Sequence, residues 1–280
     1  MSSKIIQERL LNYNCKTDIE EHQAIREITQ EVVLAALGRS DFFKEAFFQG
    51  GTCLRIFYGL NRFSEDLDFI LRSPNGSFSL SKYLVNIRNE LTSYGYNIGI
   101  IDRSSRDTVV KKAFLKDDSL GSILNLQYSG NKDRKIRIKF EVDSNPPAGS
   151  GTELKYLDFP FLSSVVCQDV PSLFAGKLHA LLCRKFIKGR DWYDFLWYIS
   201  RNSDVNYQFL SSAINQSGDW SGQNIEVDRQ WLSGEMYKKI NQLDWHHAID
   251  DVRRFVRVNE LPSLDLWSKD LFLNRLEKLK

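Results

Sequence analysis

The amino-acid sequence predicts an α+β fold in two parts: a domain with a mixed sheet over residues 1–165, then an all-helical lobe over residues 166–280. Three observations carry this. Apolar residues alternate with period two in the middle of the chain, up to Asp143. Beyond about residue 165 they recur at three- and four-residue steps. Ahead of both, a glycine pair closes one strand-like run and an Asp-x-Asp opens another.

In chain order, Ile19 to Leu37 reads as a helix, because Ile25, Ile28, Val32, Val33 and Ala36 make one apolar face. Ala46 to Gln49 is a short strand that stops at Gly50-Gly51, and Thr52 to Tyr58 is a short helix. Asp66 to Leu71 is a strand, and Leu80 to Tyr94 an amphipathic helix. Strands follow at Thr108 to Leu115, Ser122 to Tyr128 and Lys135 to Asp143, separated by turn signals such as Ser129-Gly130-Asn131. In the last of these, Ile136, Ile138, Phe140 and Val142 alternate with Arg137, Lys139, Glu141 and Asp143. One face is therefore core and the other polar, and Asn145-Pro146-Pro147 ends the ladder. Asp169 and Pro171 mark the start of a helix from Ser172 to Phe186. Gly189 is expected to end it, with Asp191 to Ser200 next. Further helices are expected at Tyr207 to Ile214, Val227 to Leu243 with a break near Gly234, His246 to Val256 and Ser268 to Leu279.

Composition excludes several classes. Of the 280 residues, 42% are hydrophobic and 26% charged, which is ordinary for a globular chain. A net charge of +2 means that a nucleic-acid partner has to be held by a local basic patch. Cys15, Cys53, Cys167 and Cys183 are isolated, without zinc spacing, and read as free thiols of a reducing compartment. No signal peptide is expected, and no stretch approaches the ~20 apolar residues that span a bilayer. A cytoplasmic protein with no membrane partner is the expectation.

The informative stretch runs from Gly50 to Phe69. Residues two apart on a strand share a face, so Asp66 and Asp68 point the same way and Leu67 and Phe69 the other. Two such carboxylates repel, and a hard cation between them removes the penalty. Magnesium takes oxygen ligands, typically one or two carboxylates plus substrate phosphates. Gly50-Gly51-Thr52 at a strand-to-helix turn admits a phosphate close to the backbone, and the Thr52 hydroxyl adds a donor. A third carboxylate is expected from Glu141 or Asp143, as a metal ligand or as the base for an attacking hydroxyl. Alone, each piece is ordinary: an Asp-x-Asp at a strand edge is usually a solvated face, and Gly-Gly a turn. The combination in this order is the signal.

These residues resemble the AbiEii/AbiGii toxin family of the DNA polymerase β-like nucleotidyltransferase superfamily. Gly50 to Phe69 is similar to its first two motifs, and Lys139 to Pro147 to its acidic strand. Asp169 to Leu182 is similar to its lysine helix, and Arg190-Asp191-Trp192-Tyr193-Asp194 to its final motif. The resemblance spans residues 50 to about 200 and implies a polymerase β-like domain followed by a helical lobe. It implies transfer of a nucleotide from an NTP with Mg²⁺, an RNA acceptor such as the tRNA 3′ end, and a block on translation. It also implies a toxin–antitoxin or phage-defence role, with a winged-helix antitoxin encoded separately as partner.

The resemblance assigns roles. Lys177 would meet the triphosphate, where most lysines on such a helix simply face solvent. Lys185, Lys188 and Arg190 make a basic cluster suited to an RNA backbone. Asp191 and Asp194 would order Lys177 or Arg190 by ion pairs or assist catalysis. Arg62 and Ser64, flanking the Asp-x-Asp, would contact the γ-phosphate and support the metal site. The dense aromatics Trp192, Tyr193, Phe195, Trp197 and Tyr198 are expected to pack the helical lobe, and His179 to sit at its core boundary.

Three other readings stay open. One keeps the fold and nucleotidylates a protein hydroxyl. A nuclease is disfavoured, because it needs an acid-x-Lys pair and here Lys139 precedes Glu141. A non-catalytic interaction module is disfavoured because every expected acid is present.

Overall fold

The computed structural model describes residues 2–105, 108–117, 119, 124, 126–128 and 135–280. The chain divides into two compact units. The first comprises Met1–Gly59, Phe63–Pro146 and Leu154–Cys167; the second comprises Leu60–Arg62, Pro147–Glu153 and Gln168–Lys280. Two short segments inside the expected N-terminal domain thus belong to the second unit.

The first unit begins with helices α1 (Ser2–Leu11), α2 (Asp18–Gly38) and α3 (Phe42–Glu45). Strand β1 (Ala46–Gln49), helix α4 (Gly50–Tyr58), strand β2 (Asp66–Leu71) and helix α5 (Ser81–Ser93) follow. The remaining strands are β3 (Ile98–Asp102), β4 (Val110–Asp117), β5 (Ile136–Asp143), β6 (Thr152–Leu157) and β7 (Ser163–Gln168). The sheet order is β3-β4-β5-β2-β1-β7-β6. It is mixed: β2 pairs parallel with β5 and antiparallel with β1, while β1 pairs parallel with β7.

Alternation sorts the two faces of this sheet. Phe69 of β2 and Phe140 of β5 point to the core, with ring centroids 4.8 Å apart. Phe42 meets Phe69 at 4.9 Å and Tyr83 at 5.0 Å, which ties α3 and α5 to the same face. Burying these rings supplies the main driving force for this layer, roughly 2–3 kcal/mol for each large side chain. It also obliges Asp66 and Asp68 to face the other way.

Helix α2 starts where Thr17 accepts the Glu20 N–H, with Asp18, Glu20 and Glu21 complementing the helix dipole. The sequence predicts one apolar face, but burial extends around the helix to Glu27, Gln30 and Glu31. Partners make that burial tolerable: Arg9 donates to Glu31 at 3.0 Å, and Arg55 to Glu27 at 2.8 Å.

Several boundaries differ from expectation. The sequence reading omits α1, α3, β3, β6, β7 and the 3₁₀ helix over Val258–Leu266, and strand β7 runs past residue 165 where a helical chain was expected. The expected strand over 122–128 and turn over 129–131 lie outside the described residues, apart from 124 and 126–128, which carry no strand. There the N–H groups of Gln127 and Tyr128 donate to the Glu21 carboxylate, at 2.6 and 3.2 Å.

The second unit is helical: α6 (Val170–Cys183), α7 (Gly189–Ser200), α8 (Tyr207–Gln216), α9 (Arg229–Gln242), α10 (Trp245–Arg253), a 3₁₀ helix (Val258–Leu266) and α11 (Lys269–Leu276). Asp169 caps α6 by accepting the Ser172 N–H at 2.9 Å, with Pro171 in the first turn. Gly189 does not end that helix. It opens α7, where a Cβ would collide with the Ala248 carbonyl. Gly234 leaves α9 unbroken. Trp192, Phe195 and Tyr198 are buried as expected, and Trp245 stacks on Phe272 at 4.2 Å. Among the described residues no helix is long and apolar enough to cross a membrane.

Candidate active site

In the first unit the parallel register of β2 and β5 sets Asp66 opposite Lys139, Asp68 opposite Glu141 and Ile70 opposite Asp143. Residues opposite one another share a face. The face away from the aromatic core therefore carries Asp66, Asp68, Lys139 and Glu141 side by side, with Gln49 opposite Asp68 on β1. Glu141 pairs with Lys139 at 2.5 Å and with Lys112 of β4 at 3.1 Å. Burial lowers the Lys139 pKa, but Glu141, Asp66 and Asp68 more than offset it and leave the pKa raised. The ammonium therefore stays charged and partly balances the acids.

The glycine turn abuts this row. Gly50 has φ +80° and a Cβ there would lie 2.8 Å from Asp68 Oδ2, so both conformation and space call for glycine. Helix α4 begins at Gly50 without a side-chain cap, and a helix N-terminus favours an anion. Gly51 is half-buried beside them.

Thr52 is a correction. It is fully buried, and its hydroxyl donates to the Asp66 carbonyl at 2.5 Å. It ties α4 to the start of β2 and is not placed to meet a phosphate. Ser64 is half-buried, and its carbonyl accepts a bond from Gln30 at 3.2 Å. Asp143 stands opposite Ile70, one step along the same face beyond the Asp68–Glu141 pair, and accepts the Asn145 N–H at 2.9 Å. Burial raises its pKa.

The donor set around Asp66 and Asp68 is made of carboxylate oxygens, which suits a hard divalent cation such as Mg²⁺. Among the described residues no three His, Cys, Asp or Glu side chains form a ready-made cage. Asp66 and Asp68 would be the pair to hold such an ion, and Glu141 would join them by exchanging a lysine contact for it.

In the second unit a buried charge network centres on α6 and α7. Arg62 donates to both oxygens of Asp194, at 2.7 and 2.6 Å. Lys177 reaches Asp191 at 2.7 Å and Asp194 at 2.9 Å, and Arg184 also pairs with Asp191. The expectation that Asp191 and Asp194 order Lys177 agrees with these contacts. Arg62 as a phosphate contact does not: it is 2% exposed and both its fork nitrogens are spent on Asp194. The Arg190 guanidinium lies 4.0 Å over the Phe255 ring.

The electrostatics follow from this packing. Burial would raise the Asp191 carboxyl, but Lys177, Arg184 and Lys188 hold it down to about 2. Burial lowers Lys177, and the two aspartates reverse this and leave it raised. Lys188 is pushed down to about 8 by burial, which Asp191 only partly opposes. Burial also lowers His179, whose ring nitrogen sits 3.3 Å from the Ser217 carbonyl.

Sequence reasoning missed Lys112 and Arg184 as partners of the acids. Lys139 was visible by alternation on the Glu141 face; Lys112 needed the β4–β5 register, which no local pattern reports.

Comparison with known proteins agrees with this geometry. The family described as nucleotidyl transferase AbiEii toxin, type IV toxin–antitoxin system, matches residues 32–274. Among solved structures, MenT4, a nucleotidyltransferase toxin of Mycobacterium tuberculosis, is 15% identical with a TM-score of 0.54, covering 100% of this chain and 99% of that one. The Helicobacter pylori protein JHP933 is 16% identical with a TM-score of 0.51, covering 91% and 88%. At such identities the likeness is one of fold. No curated protein matches the chain. With the family match running through both units, and the motif residues standing where the Asp-x-Asp strand and lysine helix put them, the chain belongs to the AbiEii nucleotidyltransferase toxins of type IV toxin–antitoxin systems.

Proposed function

We propose that this nucleotidyltransferase is a magnesium-dependent toxin that moves a nucleotide from an NTP to the 3′ end of tRNA and so blocks translation in the cytoplasm. A winged-helix regulator encoded beside it is the proposed antitoxin. The observation that carries the chemistry is the row of Asp66, Asp68 and Glu141 on one sheet face, with Gly50 packed against Asp68.

The acceptor hydroxyl releases its proton to solvent water and attacks the α-phosphorus in line; a P–O bond forms to it as the bond to the β-phosphate oxygen breaks, and pyrophosphate leaves. Magnesium, when bound, neutralises triphosphate charge and favours the deprotonated hydroxyl. The chain's own groups do the rest. Asp66 and Asp68 would hold the cation, on a strand anchored by Leu67 and Phe69 on its other face. N–H groups at the start of α4 hold phosphate oxygens, and Gly50-Gly51 lets them approach. Glu141 is the third carboxylate, because it stands opposite Asp68 while Asp143 stands opposite Ile70. It is held between Lys112 and Lys139, which position its carboxylate as a ligand. Lys177 enters as the charge that meets the pyrophosphate on the motif match alone.

The test is incubation of the purified protein with Mg²⁺, each radiolabelled NTP and either total RNA or cell protein, with Asp66→Ala as control. Label in a tRNA-sized band, absent with the variant, is the expected result. Label in protein would replace the acceptor while keeping the chemistry. Label in neither would overturn the acceptor assignment.

A further inference from the structure

A cleft of about 670 Å³ opens among the helices of the second unit. Tyr193, Trp197, Leu266, Trp267, Arg275 and Lys278 are among its lining residues. That volume is typical of small-ligand pockets. Two features distinguish it from a packing gap. Large apolar surface stays open in it: Leu266 is 69% exposed, and Tyr193 and Trp197 are only half-buried. Its two cations also lack counter-charges. Arg275 is half-buried, Lys278 is exposed, and among the described residues neither has a carboxylate partner. A partly desolvated guanidinium without an anion is unfavourable, and an incoming anion relieves it. The acid beside the aromatic wall, Glu260, is already engaged by the Tyr193 hydroxyl at 3.0 Å.

We propose that this cleft binds a nucleotide unit, its base against Tyr193 and Trp197 and its phosphate on Arg275 and Lys278. Aromatic rings stack on any base, and a guanidinium matches phosphate with paired donors. Asn202, on the same lining, brings an amide donor and acceptor suited to the edge of a base. The ligand is either a free mononucleotide or an unpaired nucleotide within single-stranded RNA, which present the same base and phosphate. The site is built entirely from the second unit and does not depend on which acceptor the enzyme modifies.

The test uses the full chain carrying Asp66→Ala, so that no transfer occurs during the measurement. AMP and a short fluorescent single-stranded RNA are titrated separately, and each titration is repeated with Arg275→Ala/Lys278→Ala and with Trp197→Leu added. Lys278 is exposed and Arg275 half-buried, and unchanged thermal melting checks that the double variant folds. Expected is a loss of affinity of about tenfold or more in each variant. The double variant should also lower the salt dependence of RNA binding by about 0.7 in log–log slope for each phosphate contact removed. RNA binding without AMP binding would assign the site to an RNA strand; AMP binding with the same variant sensitivity would assign it to a free nucleotide. Affinities for both probes that the double variant leaves unchanged would overturn the proposal. So would displacement of the RNA by an acidic aromatic peptide that binds more tightly. The transfer assay on the unsubstituted enzyme is a separate readout, so failure of either reading is recognised independently.

Discussion

Arg62 and Asp194 meet through two parallel charge-assisted hydrogen bonds, of 2.7 and 2.6 Å, across 132 residues of sequence. Asp194 is fully buried and also receives Lys177 at 2.9 Å. Removing one member of such a network leaves an under-compensated buried charge. Arg62→Ala should therefore lower the unfolding free energy by about 3–5 kcal/mol, read by urea denaturation. Arg62→Lys should recover only part of this, because an ammonium cannot reproduce the fork. If Arg62 instead served the triphosphate, Arg62→Lys would keep its stability and lose NTP affinity.

The Asp-x-Asp behaves oppositely. Asp66→Ala and Asp68→Ala each remove a carboxylate from a row of acids, so thermal stability should hold or rise slightly. Nucleotide transfer should fall by about a thousandfold or more, as expected when a group acting in a catalytic unit is lost. A folded Asp68→Ala protein with full transfer activity would sink the assignment.

Register separates Glu141 from Asp143. Glu141→Gln keeps the volume and removes the charge opposite Asp68, and should reduce transfer by about a hundredfold. Asp143→Asn changes a half-buried group that caps the Asn145 N–H, and should leave transfer within about threefold. Equal losses in the two variants would show that the register does not select the third carboxylate. The comparison is made at saturating NTP, with circular dichroism confirming both folds.

How far the sequence revealed this site depends on the range of the interaction. Asp66–Leu71 and Ala46–Gln49 were legible to the residue, because alternation and a glycine pair are local signals. Asp169 and Pro171 likewise announced α6. What lay beyond reach were relationships between distant segments. Arg62 reads as a flanking residue of the Asp-x-Asp, and nothing near it in sequence points to Asp194. Choosing Glu141 over Asp143 requires the offset of β2 against β5, and both residues satisfy the same alternation. Thr52 was assigned to phosphate by its place after the glycines, but the packing of α4 on β2 turns its hydroxyl to the Asp66 carbonyl. Gly189 misled for a related reason: its lack of a side chain serves the approach of Ala248, which no local pattern encodes.

Gly50 offers a geometric test. Gly50→Ala places a methyl group 2.8 Å from Asp68 Oδ2 in a residue with φ +80°. The backbone strain should cost about 1–2 kcal/mol. Displacement of Asp68 should cost transfer activity about a hundredfold, since small errors in catalytic geometry are expensive. Gly51→Ala, with an ordinary φ, should do less on both counts. A Gly50→Ala enzyme that keeps full activity would show that Asp68 is free to move without consequence.

Acid should weaken the second unit in a defined window. Asp191 has its folded pKa held near 2 by Lys177, Arg184 and Lys188, below its ordinary 3.8. A carboxylate depressed on folding contributes stability that is fully present above its unfolded pKa, and loses it as pH falls through the folded value. The contribution, on the order of 2 kcal/mol, should disappear between about pH 4 and pH 2. Asp191→Asn should be less stable at neutral pH and show a flatter acid limb over that window. Lys188 gives the complementary signature at high pH. Its folded pKa lies near 8, below the usual 10.5, so the unfolded chain binds the extra proton and stability rises from about pH 8 to 10.5. Lys188→Met should remove that rise and flatten the acid limb only in part, because Lys177 and Arg184 still hold Asp191 down, a contrast with Asp191→Asn measurable by urea titration across both windows. An acid limb that persists unchanged in Asp191→Asn would mean that other carboxylates carry it and that the Lys177–Asp191 pair adds nothing to stability.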